Sequence, residues 1–165
     1  MIIRHKWLAA LGAMAAGALA ACSPQAAEQV PEPTSAAVAT HPESGLEVIP
    51  VTVTTDSGTH TFQAELAASR QEQARGLMFR TEMGADEGMI FPYDTPQELG
   101  FWMRNTVLPL DIIFIDPDGR ILNIEDGEPY NEVSVTSDGL AVAVLELNQG
   151  RADELGIGPG DTVEW

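Results

Sequence analysis

From Glu47 onward, apolar and polar residues alternate in short runs broken by turn residues. Ile49, Val51 and Val53 fall on one side of a first run and Thr52 and Thr54 on the other. After Asp56-Ser57-Gly58, Phe62, Ala64 and Leu66 repeat the pattern, which predicts a β-hairpin. Ser69-Arg70-Gln71-Glu72 reads as a capping box, and Gly76 ends the short helix it opens. Gly88 to Phe91 predicts a short strand, and Pro92 to Pro96 a turn-rich connection. Leu99, Phe101 and Met103 alternate against Gly100, Trp102 and Arg104 until Pro109 intervenes. Leu110, Ile112 and Phe114 then face away from Asp111, Ile113 and Ile115.

Asp116-Pro117-Asp118-Gly119 suits a type I turn, after which Arg120 to Glu125 returns as a partner strand. The acidic stretch from Asp126 to Gly139 reads as loop with a short strand at Val133 to Val135. Leu140 to Leu147 is apolar on both faces except for Glu146. A short helix over Gln149 to Leu155 and a last strand over Thr162 to Trp165 complete the pattern. Many short strands with one or two short helices predict a mainly β fold, a compact jelly-roll-like sandwich or partly closed barrel.

The first third has a different character. Arg4 and Lys6 precede an apolar run from Trp7 to about Ala18, too short to span a bilayer. Leu19-Ala20-Ala21-Cys22 matches a bacterial lipobox, so residues 1–21 are expected to be a lipoprotein signal peptide and Cys22 the lipidated residue. Ordinary cleavage after Ala20 is the competing expectation. Ser23 at the next position points to the outer membrane, facing the periplasm, with the lipid anchor as the membrane partner. Residues 22–45 are rich in Ala, Pro, Ser, Thr, Glu and Gln and predict a disordered tether in which His41 is unremarkable. Residues 46–165 form the expected β domain.

Composition narrows the chemistry. Acidic residues outnumber basic ones 25 to 8, and beyond Lys6 the chain has arginine but no lysine. Nucleic acid, which needs a basic footprint, is therefore not an expected partner. The single cysteine, Cys22, stands outside the domain, and His60 is the domain's one histidine. These counts remove a thiolate zinc site, a cysteine nucleophile within the fold and a two-histidine metal site. No cofactor is expected: the chain has no phosphate loop, dinucleotide fingerprint or serine elbow.

What remains is an arginine–aromatic–amide constellation. Trp102 and Arg104 share a face and leave the core together, and Asn105 and Thr106 add donors and acceptors beside them. The alternative is that Trp102 packs, Arg104 pairs with an acid and Asn105 makes the turn. Asp111, an acid among apolar strand residues, must be paired or raised in pKa. It is either a general acid/base or a partner of Arg75, Arg80 or Arg104, and Glu146 invites the same two readings. Met78, Met83, Met89 and Met103 would suit Cu(I) as thioethers, or fill core gaps.

Arg75-Gly76-Leu77-Met78-Phe79-Arg80, Gly88 to Phe91, Phe101 to Thr106 and Pro109 to Ile115 resemble the motifs of the domain-of-unknown-function 192 family (DUF192, uncharacterised ACR). Leu145 to Leu147, Gly150, Leu155 to Ile157 and Gly160-Asp161 continue the likeness, which covers roughly Val51 to Trp165. The resemblance implies a compact, mainly β fold, often exported, and brings no activity with it. Where this chain has Arg104, the family more often carries lysine, so a point charge carries over more safely than a forked hydrogen bond. It also implies a shared site at Arg75, Arg80, Trp102, Arg104, Asn105, Thr106 and Asp111. The expectation is a non-catalytic, lipid-anchored periplasmic binding or accessory domain for a polar ligand. The alternatives are an envelope carbohydrate hydrolase or lyase using Asp111 and Glu146, and a structural protein-interaction domain.

Overall fold

The computed structural model describes residues 39–165, so the expected signal peptide and Cys22 lie outside the described residues. In chain order the elements are β1 (Val48–Thr55), β2 (Gly58–Leu66), α1 (Arg70–Arg75), β3 (Glu87–Gln97) and β4 (Gly100–Phe101). There follow β5 (Leu110–Ile115), β6 (Ile121–Gly127), β7 (Val135–Thr136), β8 (Ala141–Asn148), α2 (Arg151–Leu155) and β9 (Thr162–Glu164). Seven strands form one sheet in the order β6-β5-β8-β3-β2-β1-β9, and β4 pairs with β7 separately. The fold is mainly β and sandwich-like, with two short helices, and the sheet does not close into a barrel. Its edges meet at one corner, where Arg120 bridges to Thr162 and Val163 N–H donates to the Gly119 carbonyl at 2.7 Å.

All ladders of the large sheet are antiparallel except β2 with β3. That parallel pair requires a crossover, and the crossover carries α1. The capping box forms as the sequence predicts: Ser69 Oγ accepts from Glu72 N–H at 3.2 Å, and Glu72 accepts from Ser69 N–H at 2.6 Å. Gly76, at φ 47°, closes the helix and turns the chain back over the sheet.

Both faces of the sheet are buried, and strand alternation assigns each residue to one of them. Val51, Val53, Phe62, Ala64, Ile113, Ile115, Leu145 and Leu147 form one core with Ala152 of α2 and Ile157. Met89, Phe91, Leu110, Ile112, Phe114 and Val144 form the other, covered by Leu77, Leu99 and Met103. Phe101 stacks edge-on against Phe91 and Phe114, with centroids 5.1 and 6.1 Å away. Gly88 lets β3 approach β8 closely, since a Cβ there would lie 2.6 Å from the Glu146 carbonyl oxygen.

Three expectations are corrected. The segment from Pro92 to Pro96 is strand rather than turn: β3 continues to Gln97 through a shift of register against β8 between Pro92 and Gln97. Prolines are admitted there because the irregular ladder does not need their missing N–H. Residues 39–45 are not a loose tether: Thr40 bridges to Glu47, and Val48 N–H donates to the Ala39 carbonyl at 2.8 Å. His41, expected to be unremarkable, faces the Glu65 carboxylate at 3.7 Å and the Arg80 guanidinium at 3.3 Å.

Candidate functional site

The site is built where the segment after α1, the middle of the sheet and the 100–106 segment converge. Gln73 to Met78 form one wall, Phe91 and Tyr93 of β3 and Glu146 of β8 the floor, and Gly100 to Trp102 with Thr106 the opposite wall. They enclose a cavity of about 230 Å³. A larger cavity of about 470 Å³ lies toward the N-terminal segment and shares Arg75, Gly76 and Met78 with it.

Glu146 dominates the electrostatics. Register sets it between Met89 of β3 and Ile112 of β5, so its side chain rises from an apolar face with only 5% of its surface exposed. Among the described residues, no hydrogen bond or neighbouring charge offsets its burial. Desolvation pushes its pKa up to about 8, so Glu146 is a neutral carboxylic acid at neutral pH. The Tyr93 phenol is also raised, first by its own burial and then by the Glu146 carboxylate.

Around the mouth the backbone is strained. Phe79, Asn105 and Tyr130 adopt positive φ angles of 65°, 56° and 62°. Asparagine tolerates this region; phenylalanine and tyrosine do so at a cost of about 1–3 kcal/mol each. The three are tied together: Phe79 N–H donates to the Asn105 carbonyl at 2.8 Å and Tyr130 N–H to the Thr106 carbonyl at 3.0 Å. Met103 N–H donates to the Asn131 carbonyl at 2.8 Å, clamping the 102–106 turn between two loops. Phe79, Trp102 and Tyr130 are 67%, 47% and 62% exposed, so this strain presents aromatic rings to solvent.

Of the residues singled out from sequence, Arg75, Trp102 and Thr106 line the cavity with Glu146. Arg104 lies outside it, its guanidinium carbon 5.7 Å from the Trp102 ring centroid; both residues follow β4 in a turn, so no strand face sets their contact. Asn105 forms the turn and reaches Met78 Sδ at 3.9 Å. Arg80 is buried elsewhere, paired with Glu65 at 2.8 Å and Glu43 at 3.1 Å, while Ser44 bonds the same Glu65 carboxylate. Met89 and Met103 are buried in the core, Met83 packs against it, and Met78 lines the cavity.

Asp111 requires correction. It pairs across the ladder with Leu147, whereas Glu146 pairs with Ile112, so the two carboxylates project from opposite faces of the sheet. They cannot flank one substrate. Asp111 pairs with none of the three arginines named for it; it accepts from Gly150 N–H at 2.9 Å and Ala152 N–H at 2.8 Å, capping α2.

Sequence reasoning missed Gln73, Phe91, Phe101 and above all Tyr93. The signal was present: Met89, Phe91 and Tyr93 keep one strand alternation through Pro92. Among the described residues no three histidine, cysteine or acidic side chains gather to hold a metal ion.

The model of the family described as DUF192, uncharacterized ACR, matches residues 51–165. The chain belongs to the DUF192 family. A crystal structure of a protein of unknown function from Novosphingobium aromaticivorans DSM 12444 is 56% identical, covering 79% of this chain and 94% of that one at a TM-score of 0.76. A second, from Sinorhizobium meliloti 1021, is described as a candidate transcription regulator. It is 40% identical, covers 72% of this chain and 94% of its own, and has a TM-score of 0.70. No curated protein matches the chain. DUF192 membership thus agrees with the motif resemblance and assigns the domain no activity.

Proposed function

We propose that this DUF192 domain is a non-catalytic binding module that takes a small polar ligand into the cavity floored by Glu146. One observation carries the reading: a buried carboxyl group without a protein partner opens into an aromatic-walled cavity. Its oxygens reach the cavity instead of being sealed in the core, so a ligand seated there can pair with them. Arg75 and Thr106 supply further polar contacts, and Arg104 braces Trp102 from outside.

The chemistry of hydrolysis is not favoured, because glycoside cleavage of the usual kind needs two facing carboxylates and Asp111 lies across the sheet. The Sinorhizobium relative is described as a candidate transcription regulator, and direct contact with DNA gains no support from a chain with a net charge of −17. The leader pattern supports attachment through a lipidated Cys22 to the periplasmic face of the outer membrane. Radiolabelled palmitate incorporated by the natural chain and lost in Cys22→Ala tests that anchor; equal labelling of the two would overturn it.

Thermal denaturation of the full chain against a panel of small amines, carboxylates and sugars tests the binding reading. Any ligand selective for the native state raises the midpoint by mass action. We expect such shifts to vanish in Glu146→Gln and to weaken in Arg75→Ala. Shifts that survive both substitutions would put the ligand elsewhere and overturn the proposal.

A further inference from the structure

We infer that the ligand is a small organic ammonium compound, its cationic nitrogen seated among the aromatic rings against the Glu146 carboxylate. This rests on the reading of the cavity as a binding site and names the chemistry it selects. The chain has five phenylalanines, three tryptophans and two tyrosines, and four of these ten rings, Phe91, Tyr93, Phe101 and Trp102, line this one small cavity. Aromatic faces carry negative quadrupole potential and attract a desolvated cation, ammonium groups above all. An anion could bind only against the neutral form of Glu146 and would oppose its ionisation.

The charged and titratable neighbours of Glu146 leave the place of a counter-ion open. β5 presents Ile112 to it, and β3 presents Met89 and Tyr93. From the 100–106 segment, uncharged Phe101, Trp102 and Thr106 line the cavity, while the charged Arg104 stands outside the lining, its guanidinium over the Trp102 ring. Arg75, at the end of α1, is the single cation of the lining; it is exposed and forms no ion pair with Glu146. Arg75 instead suits an acceptor at the outer end of the ligand, such as a hydroxyl. The volume of about 230 Å³ falls below the roughly 300–1,000 Å³ of pockets for drug-sized ligands, so the occupant is small. The net charge of −17 draws cations toward the molecule.

A proton balance follows. Below about pH 8 Glu146 is neutral, and seating an ammonium group ionises it, so the carboxyl proton passes to solvent as the cation binds. Affinity for a permanently charged ligand therefore rises with pH, by up to about tenfold per unit, and levels off above about pH 8.

Isothermal titration calorimetry of the full chain would use choline, its uncharged isostere 3,3-dimethylbutan-1-ol, and butyrate. At pH 6.5, pairs of buffers with different ionisation enthalpies count the protons released. We expect choline to bind about tenfold or more tightly than the isostere, with close to one proton released. Glu146→Gln should remove the proton release and most of the preference for charge. Trp102→Ala, at a half-exposed position, should weaken choline by about three- to tenfold and leave the proton count unchanged. Equal binding of choline and its isostere, or preferential binding of butyrate, would overturn the ammonium assignment and leave the cavity as a binding site. Failure of all three to bind would overturn the ammonium assignment, while the binding reading stands or falls on the wider thermal-denaturation panel.

Discussion

Glu146 makes stability depend on pH in a direction opposite to that of an ordinary paired carboxylate. Its pKa is raised from 4.5 to about 8 on folding, so between these values the native state holds a proton that the unfolded chain has lost. Stability contributed by the neutral acid is therefore fully present below about pH 4.5 and is lost as pH rises through about 8, by up to roughly 1.4 kcal/mol per unit. Urea denaturation of Glu146→Gln should show a flatter profile across that window and a more stable protein at its alkaline end. A wild-type profile that rises there would mean that the carboxyl has found a partner. Asp111 behaves differently, because its carboxylate satisfies two amides at the start of α2. Asp111→Ala should cost about 2–3 kcal/mol in the same assay. The two acids look alike in the sequence, each a lone carboxylate in an apolar run. What separates them is the register of β5 against β8, and sequence alternation fixes faces within a strand without fixing them between strands.

Among the elements, β1 and β2 were legible because their residues alternate with a period of two, and β5 and β8 because each is a short apolar run bounded by turn residues. β3 was only half legible. Pro92 and Pro96 read as punctuation, and the irregular ladder that accommodates them is a property of the pairing with β8. The site inherits this difficulty, since Tyr93 lies beyond the first proline. Arg75, Trp102 and Thr106 were visible as a polar and aromatic cluster, whereas their convergence on Glu146 depends on a crossover no local pattern displays. Two substitutions probe the elements. Gly88→Ala forces a methyl group onto the Glu146 carbonyl and should cost about 1–3 kcal/mol, measured by denaturant midpoint. Phe79→Gly relieves an unfavourable backbone angle at an exposed side chain and should raise stability by about 0.5–1 kcal/mol. A loss of stability at that position would show that the phenylalanine ring packs in solution.

For the domain as a whole, the cluster of Arg80, Glu65, Glu43 and His41 fastens residues 39–47 to the sheet beneath them. Arg80→Ala would strand Glu65, only 3% exposed, without its cation, and should destabilise the domain by about 3–5 kcal/mol. Arg80 thus serves the fold at the position the family motif had suggested for a ligand. The order of the strands bears also on how the chain is made. β8 lies between β5 and β3 and joins the early half of the sheet to the later hairpin, yet it is among the last strands in the sequence. Synthesis from the N-terminus delivers β1 to β3 and then the β5–β6 hairpin before the strand that unites them. Until Ala141 to Asn148 emerge, neither half has its partner, and the growing polypeptide remains an open, unfinished chain.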